Sequence, residues 1–415
     1  MKKVLIISYY FPPVNIIASR RYGDMAPYME SFGWKPIMLT THSVGDLPVR
    51  VPEKDIMRVG ENCDSGKKVV AAEGYRGIPA IVKPFYFLYH KYGIDITSID
   101  RFVFSWRRDV LKNFSLIEKT KPDLIIATYQ PAVSLWLASA LSKKLSIPWV
   151  ADLRDAVSLY NTSPLRLAKQ IDAFVDKQIM KSVSHIVTVS PALAKLMGDF
   201  YQKPVDVIYN GFDLTNHTIP PRPPEKNSSF TLYYAGRFHP HRIPAVKIVI
   251  DWLAEGVLPR AIFRARSLGP QEANEEILHY AEKRGVRKTV ELLPSASPDV
   301  IFEEERKADI LLVCEDVAKM NPISNTNMTG KLFEYLPFHA PIVAITRKDS
   351  DIRLVLEDTG RGFLASGKKE LADVMRRIHR GLSPSRKENR INAYSRESQC
   401  RKLCQILDEV HQKKS

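Results

Sequence analysis

Two stretches of the chain carry residue types suited to holding a diphosphate. The first is Gly236-Arg237-Phe238-His239-Pro240-His241-Arg242, which follows the apolar run TLYYA and leads into a helical pattern from about Pro244. A guanidinium meets phosphate oxygens with two parallel N–H bonds, and a helix opening beyond the loop adds unpaired amides. Arg237 and Arg242 are therefore candidates to neutralise a diphosphate leaving group. The plainer alternative is two solvated arginines in a strand-to-helix loop. The second stretch is Thr329-Gly330-Lys331-Leu332-Phe333-Glu334-Tyr335-Leu336. A helix opening at Gly330 and Lys331 offers amides and an ammonium to an anion, while Glu334, one turn on, can accept hydrogen bonds from a ribose diol. An exposed Lys–Glu pair three residues apart is the competing interpretation.

The metal-binding patterns are weaker. Asp349-Ser350-Asp351 has the Asp-x-Asp form, but it precedes the helical run DIRLVLEDTG, where aspartate commonly caps, so capping is expected. No His or Cys cluster with ligand spacing accompanies it, and His239 and His241 read as phosphate-side or solvated groups. Neither a metal nor a cofactor is expected. The loop after the first apolar run, SYYFPPVNIIAS, contains no glycine, which argues against a GxGxxG dinucleotide fold.

These loops must be positioned by the elements around them. Short runs rich in Val and Ile alternate with amphipathic segments, the pattern of βαβ units with a parallel sheet covered on both faces. In the first half the strands are expected at Val4–Tyr10, Pro36–Leu39, Asp123–Thr128, Pro148–Leu153, His185–Ser190 and Val205–Tyr209. The proline-rich stretch Asn216–Ser229 reads as a linker. The alternation restarts at Thr231–Ala235, Ala261–Ala265, Val290–Leu293, Asp309–Cys314 and Pro341–Ile345. The fold class is therefore α/β with two Rossmann-like, doubly wound parallel-sheet domains: residues 1–216, then 217–389, with a final helix over 390–415 packing back on the first. Ligands in such a chain belong at the carboxyl ends of the strands, in a cleft between the two domains.

Between His42 and Lys112 the strand rhythm fails, and an insertion of helices is expected there. Phe102, Phe104 and Trp106, set among Arg101, Arg107 and Arg108, suit either a membrane interface or a core-facing segment with solvated arginines.

With 415 residues, two domains are the natural division, and 45% hydrophobic with 26% charged residues is ordinary for a folded protein. No apolar run reaches bilayer length, and Met1-Lys2-Lys3 followed by VLIISYY is too short for a secretory signal. Four cysteines without CxxC pairing fit a reducing cytoplasm. The net charge of +15 asks for an acidic partner. Lys and Arg outnumber Asp and Glu 28 to 20 up to Thr215 and 33 to 26 beyond it, so no separate basic arm is present.

AGRF followed by Arg242, IYNGFD at Ile208–Asp213, KLFEYL with its API, and YYFPP at Tyr9–Pro13, taken in order, resemble family 4 of the retaining glycosyltransferases, of GT-B fold. The stretch Pro148-Trp149 through Asp152, Arg154 and Asp155 is similar to the PW-x-x-D-x-RD pattern of its surface-polysaccharide members. The resemblance spans nearly the whole chain. It implies a nucleotide-sugar donor, a UDP- or GDP-sugar, held mainly by the second domain, with Arg237 and Arg242 on the diphosphate and Gly330, Lys331 and Glu334 near phosphate and ribose. The acceptor, a glycan or lipid-linked glycan, would lie on the first domain.

Two departures stand out. The glycine pair that usually follows YYFPP, and lets backbone amides approach the donor phosphate, is replaced by Val14-Asn15-Ile16-Ile17, leaving Asn15 to bind the donor with its amide. The earlier of two glutamates spaced by seven is Thr326, flanked by Ser324, Asn325 and Asn327, which can hydrogen-bond sugar hydroxyls less strongly than a charge. Where many relatives carry histidine, Arg154-Asp155 offers Asp155, and less so Asp152, as proton acceptor, with the leaving phosphate as the alternative. Tyr129 and Gln130 are candidates for the acceptor wall. The implied activity is metal-independent retaining sugar transfer in the cytoplasm, with a peripheral contact to anionic membrane and no nucleic-acid partner. Rival interpretations are a UDP-sugar 2-epimerase-like enzyme, a basic nucleic-acid-binding protein and an inactive glycan scaffold.

Overall fold

Apolar β-branched runs that cannot be exposed on either face form the two sheets of this chain. A computed structural model describes residues 1–63, 98, 104–161, 163–213, 229–258, 260–267, 269–319, 323–382 and 384–413. The chain divides into two units, Met1–Tyr209 with Arg396–Ser415, and Asn210–Ser395.

The first unit holds seven parallel strands in the order β3-β2-β1-β4-β5-β6-β7. They are β1 (Lys2–Ile7), β2 (Trp34–Ser43), β3 (Ile56–Cys63), β4 (Leu124–Tyr129), β5 (Trp149–Leu153), β6 (His185–Thr188) and β7 (Val205–Val207). The second holds six in the order β10-β9-β8-β11-β12-β13: β8 (Phe230–Ala235), β9 (Ala261–Arg266), β10 (Val290–Leu293), β11 (Ile310–Cys314), β12 (Ile342–Ile345) and β13 (Gly362–Ala365). Strands β4, β5, β11 and β12 are buried throughout, as a central strand covered by helices on both sides must be. Each sheet reverses its strand order once, between β1 and β4 and between β8 and β11. Carboxyl-end loops diverge at such a point and leave a crevice.

Two strands depart from the sequence expectation. Strand β3, IMRVGENC, lies inside the region expected to hold only helices and pairs in parallel with β2. It is an edge strand with little apolar alternation. Strand β13 begins at Gly362, where an added Cβ would meet the carbonyl oxygen of Ile342 at 1.9 Å. Close backbone approach requires that glycine, whereas in the sequence it resembles a loop residue.

The single final helix expected over 390–415 is two helices, Glu388–Asn392 and Arg396–Gln412. Between them Ser395 bridges Phe212, and Phe212 N donates to Tyr394 O at 3.3 Å. The chain thus crosses from the first unit at Tyr209/Asn210, before the expected boundary at 216, and returns at Arg396, after the expected one at 390. The last helix belongs to the first unit's core, where Cys400, Leu403, Cys404, Ile406, Leu407 and Val410 join Met29, Trp34 and Met38. Trp34 Nε1 donates to Asp408 Oδ1 at 2.9 Å, tying helix to strand.

Trp106 is not at an interface with solvent or lipid. It is buried, its Nε1 donates to Val59 O at 3.0 Å, and its ring meets Tyr9 edge-on at 5.1 Å. Arg107 is half-buried and Arg108 exposed, with its Nε 3.1 Å from Asp109 Oδ1; Arg101, Phe102 and the side chain of Phe104 lie outside the described residues, as does nearly all of the Asn216–Ser229 linker. Among the described residues, no helix is long and apolar enough to cross a membrane.

Candidate functional site

In the second unit, the loop after β8 curls around one carbonyl oxygen. Arg237 O accepts from Tyr234 Oη at 3.2 Å, His239 N at 3.2 Å and Arg242 Nη1 at 3.2 Å. Tyr234 and Phe238 stack at 5.0 Å beneath it. Gly269 packs on it from the side, with room for a Cβ only 3.2 Å from Phe238 N. The loop is therefore fixed, and the exposed Arg237 side chain stands out from it without a partner among the described residues.

Arg242 has a different position. Its Nη2 donates to Glu315 Oε1 at 2.7 Å, and Glu315 is the buried residue that follows β11 across the strand reversal. Burial opposes the Arg242 charge, but Glu315 outweighs it and holds the guanidinium above its ordinary value. His241 Nε2 lies 3.7 Å from the other Glu315 oxygen. His239, stacked on His241 at 5.5 Å, is lowered by burial and by the positive charge of Arg242, His241 and Arg237. Glu315 is thus the central anion of a basic loop.

The helix Gly330–Tyr335 meets that loop directly: Ala235 N, two residues before Arg237, donates to Tyr335 Oη at 3.1 Å. Gly330 opens the helix, as expected. Lys331 Nζ lies 2.7 Å from Glu334 Oε2 and 3.6 Å from Glu305 Oε1. Glu305, on the helix Pro298–Lys307, is buried, and its Oε1 has no hydrogen-bond partner. Burial raises its carboxyl to about 7, with Lys331 pulling it down and Glu334 pushing it up. Lys331 is therefore shared between two carboxyls, one of which changes charge near neutrality.

Thr326 is less available than its sequence neighbourhood suggested. It is buried in a short turn and its hydroxyl donates to Ile323 O at 2.8 Å, while Ser324 Oγ accepts from Arg347 Nη1 at 3.2 Å. Arg347 also grips Asp349, at 2.9 and 2.7 Å, and this holds the Asp349 carboxyl below its usual range. The expected aspartate cap is corrected here: Asp351 stands at the start of the helix Ile352–Thr359 without a side-chain capping bond, and Ser350 Oγ accepts from Ile352 N at 3.4 Å. Among the described residues no three His, Cys, Asp or Glu side chains gather into a metal-holding group.

In the first unit the strand reversal brings together the loops after β1 and β4. The loop after β1 is held by its carbonyls: Thr41 Oγ1 donates to Tyr9 O at 2.8 Å, Ser43 Oγ to Phe11 O at 3.2 Å, Arg58 Nη2 to Pro12 O at 3.2 Å and Leu47 N to Pro13 O at 3.0 Å. Val14 is buried and Asn15 exposed at its tip. Across the reversal, Tyr129 is buried at the end of β4 and Gln130 is exposed.

Arg154 Nη2 donates to Tyr129 O at 3.2 Å, linking the loop after β5 to that after β4. Burial lowers Arg154, and its Nε is enclosed without a partner. Burial raises the carboxyl of Asp155 while Arg154 lowers it, leaving it above the ordinary aspartate value. That direction favours proton acceptance. Asp152, by contrast, is wholly buried in a two-bond ion pair with Arg21, at 2.7 and 2.9 Å, so a structural role replaces the lesser catalytic one. Arg21 Nη2 also donates to Ile208 O at 3.2 Å.

Sequence reasoning missed Glu315, Glu305 and Tyr335. Glu315 had a readable signal, an acid directly after the buried strand ILLVC at a reversal of strand order. Glu305 did not, because Glu303, Glu304 and Glu305 are consecutive and only the packed helix chooses which one turns inward.

Residues 19–216 match the family model described as Glycosyltransferase Family 4. No curated protein sequence matches the chain. Solved structures with the same fold include a glycosyltransferase from Rickettsia africae, at TM-score 0.64 and 14% identity over 99% of this chain and 98% of that one. Sucrose-phosphate synthase from Thermosynechococcus elongatus aligns at TM-score 0.61 and 13% identity, over 100% and 97%. Anabaena HepE in complex with UDP and glucose aligns at 0.58 and 15%, over 100% and 98%.

Proposed function

Since this chain is a glycosyltransferase family 4-like protein of GT-B fold, we propose that it transfers a sugar, with retention, from a nucleotide-diphosphate sugar to a glycan or lipid-linked glycan in surface-polysaccharide synthesis. The observation that carries this reading is the bond from Ala235 N to Tyr335 Oη, 3.1 Å, which joins the arginine loop to the helix of Lys331 and Glu334. Arg237 and Arg242 then serve the diphosphate, Gly330 and Lys331 the phosphate edge, and Glu334 the ribose. The UDP held by Anabaena HepE motivates UDP-sugars as the first donors to try.

In the reaction the bond from the sugar's anomeric carbon to the diphosphate breaks, and a bond to the acceptor oxygen forms on the same face. The acceptor proton goes to Asp155 or to the leaving phosphate. Charge from the arginines and the lysine stabilises the departing diphosphate, so neither a metal nor a cofactor is assigned a step. Tyr129 and Gln130 are assigned to the acceptor wall, Asn15 to the donor phosphate through its amide, and the turn that Thr326 closes by its bond to Ile323 O to the sugar side of the donor. The protein is proposed to work in the cytoplasm.

UDP titration of Arg237→Ala and Lys331→Ala tests the donor assignment. Each loses a charge-assisted bond of roughly 1.5–3 kcal/mol, so affinity is expected to fall about tenfold or more. Unchanged affinity in both removes it. With a panel of UDP- and GDP-sugars, epimer formation without an acceptor would instead support the epimerase reading.

A further inference from the structure

Arg154 and Asp155 are neighbours of opposite charge that do not bond each other. The Arg154 guanidinium makes one hydrogen bond among the described residues, Nη2 to Tyr129 O at 3.2 Å, and its Nε is enclosed without an acceptor. Asp155 is half-buried and accepts no hydrogen bond among them. The other charges near Arg154 belong to Asp152 and Arg21, which are spent on each other in their two-bond pair. Tyr22, also near, is kept neutral by burial. Asp155 is therefore the uncommitted counter-charge of Arg154.

The chain on both sides of the pair is fixed, so a shift of the loop does not close it. Leu153 ends the buried strand β5, and Ala156 and Val157 are buried. Ser158 donates through N and Oγ to the buried Asp176 Oδ2, at 3.1 and 2.7 Å, and Asn161 Nδ2 donates to the buried Asp172 Oδ2 at 2.7 Å. A guanidinium and a carboxylate, both largely unspent, are thus held at the carboxyl ends of two central strands. That pair suits a ligand carrying a hydroxyl next to an anion.

Proton transfer sharpens the requirement. Once Asp155 takes a proton it is neutral, and Arg154 loses its counter-charge in a half-buried place, where an unpaired cation is costly. An anion on the substrate supplies the missing charge. It also offsets the field of Arg154 at Asp155, which makes that carboxylate a better base.

We propose that Arg154 is a specificity-determining residue that selects an acceptor bearing an anionic group, carboxylate or phosphate, next to the hydroxyl presented to Asp155. This rests on the reading of Asp155 as proton acceptor in sugar transfer. In that step the hydroxyl proton passes to Asp155, the acceptor oxygen bonds to the anomeric carbon, and the bond from that carbon to the diphosphate breaks. The anion on Arg154 changes no bond.

The test is titration of the full chain by saturation-transfer NMR, with and without saturating UDP to fill the donor site, at constant ionic strength. The probes are methyl glucuronide, glucose 1-phosphate and neutral methyl glucoside. With UDP present, the parent is expected to bind at least one anionic probe about tenfold or more tightly than the glucoside, and the preferred probe tells carboxylate from phosphate. Arg154→Gln is expected to lose that preference and Arg154→Lys to keep part of it. Asp155→Asn removes the competing carboxylate and is expected to bind the anion more tightly, a gain that misfolding does not produce. No preference for either anion in the parent, or a preference kept in Arg154→Gln, would overturn the proposal. So would a tenfold loss of UDP affinity in Arg154→Gln, which would put the guanidinium on the donor. A parent with an Arg154-dependent anion preference that binds no UDP would sink the donor-site reading and leave the anion site standing.

Discussion

Glu305 places a proton-sensitive charge beside the lysine assigned to the phosphate. Its carboxyl, ordinarily near 4.5, is raised by burial to about 7. Between those values the folded protein binds a proton that the unfolded chain does not, so this group's contribution makes stability fall as pH rises through the window. The full cost above it is on the order of 3 kcal/mol. Glu305→Gln is expected to remove that slope. Denaturant midpoints at about pH 5 and about pH 8 should differ less in the variant than in the parent. Asp176, raised to about 6 by burial, contributes the same sign to both proteins and cancels in the comparison. An incoming diphosphate also favours protonated Glu305. UDP binding near neutrality should therefore take up a proton in the parent and not in Glu305→Gln, as read by calorimetry in buffers of different ionisation enthalpy.

The donor-side helix Gly330–Tyr335 has only six residues, too few to be stable alone, so its place depends on what holds its end. Arg361 does much of this. It is buried without a carboxylate and donates to Leu336 O at 2.8 Å, to Ala340 O at 2.7 Å and to Phe338 O. Burial, with help from Arg386, lowers it to about 9. Arg386 adds bonds to Phe338 O at 2.6 Å and Pro337 O at 2.9 Å. Arg361→Met fills similar space but leaves buried carbonyls without donors. A loss of about 3 kcal/mol or more is expected in urea unfolding, with weaker UDP binding measured well below the transition. Unaltered stability would show that Arg386 and water suffice.

Across the whole molecule, each unit has its own sheet and core, and the chain's last helix completes the first one. Truncation after Ser395 removes six buried apolar side chains, Cys400 through Val410, from beneath β1 and β2. At about 2 kcal/mol or more for each large one, that loss exceeds the stability of an ordinary domain. The truncated protein is expected to lose protease resistance in residues 1–209 while a fragment near Asn210–Ser395 persists. A first unit that stays resistant would mean the helix is an ornament to its core.

Sequence alone determined the alternation of buried strands with amphipathic helices, because burial on both faces leaves β-branched runs little choice. Eleven strand positions, Arg237 in a strand-to-helix loop and Lys331 with Glu334 on a short helix were legible from local pattern. Edge strand β3 and the glycine-led β13 were not, since neither carries a double-sided apolar run. Which carboxyls meet which cations was decided only by tertiary structure. Glu315 reaches Arg242 from another strand, Glu305 reaches Lys331 from another helix, and Asp152 is paired with Arg21 from far upstream in the chain. The physical reason is range: backbone pattern is set by neighbours a turn or a strand away, whereas a charge is tuned by whatever folding brings within a few ångströms.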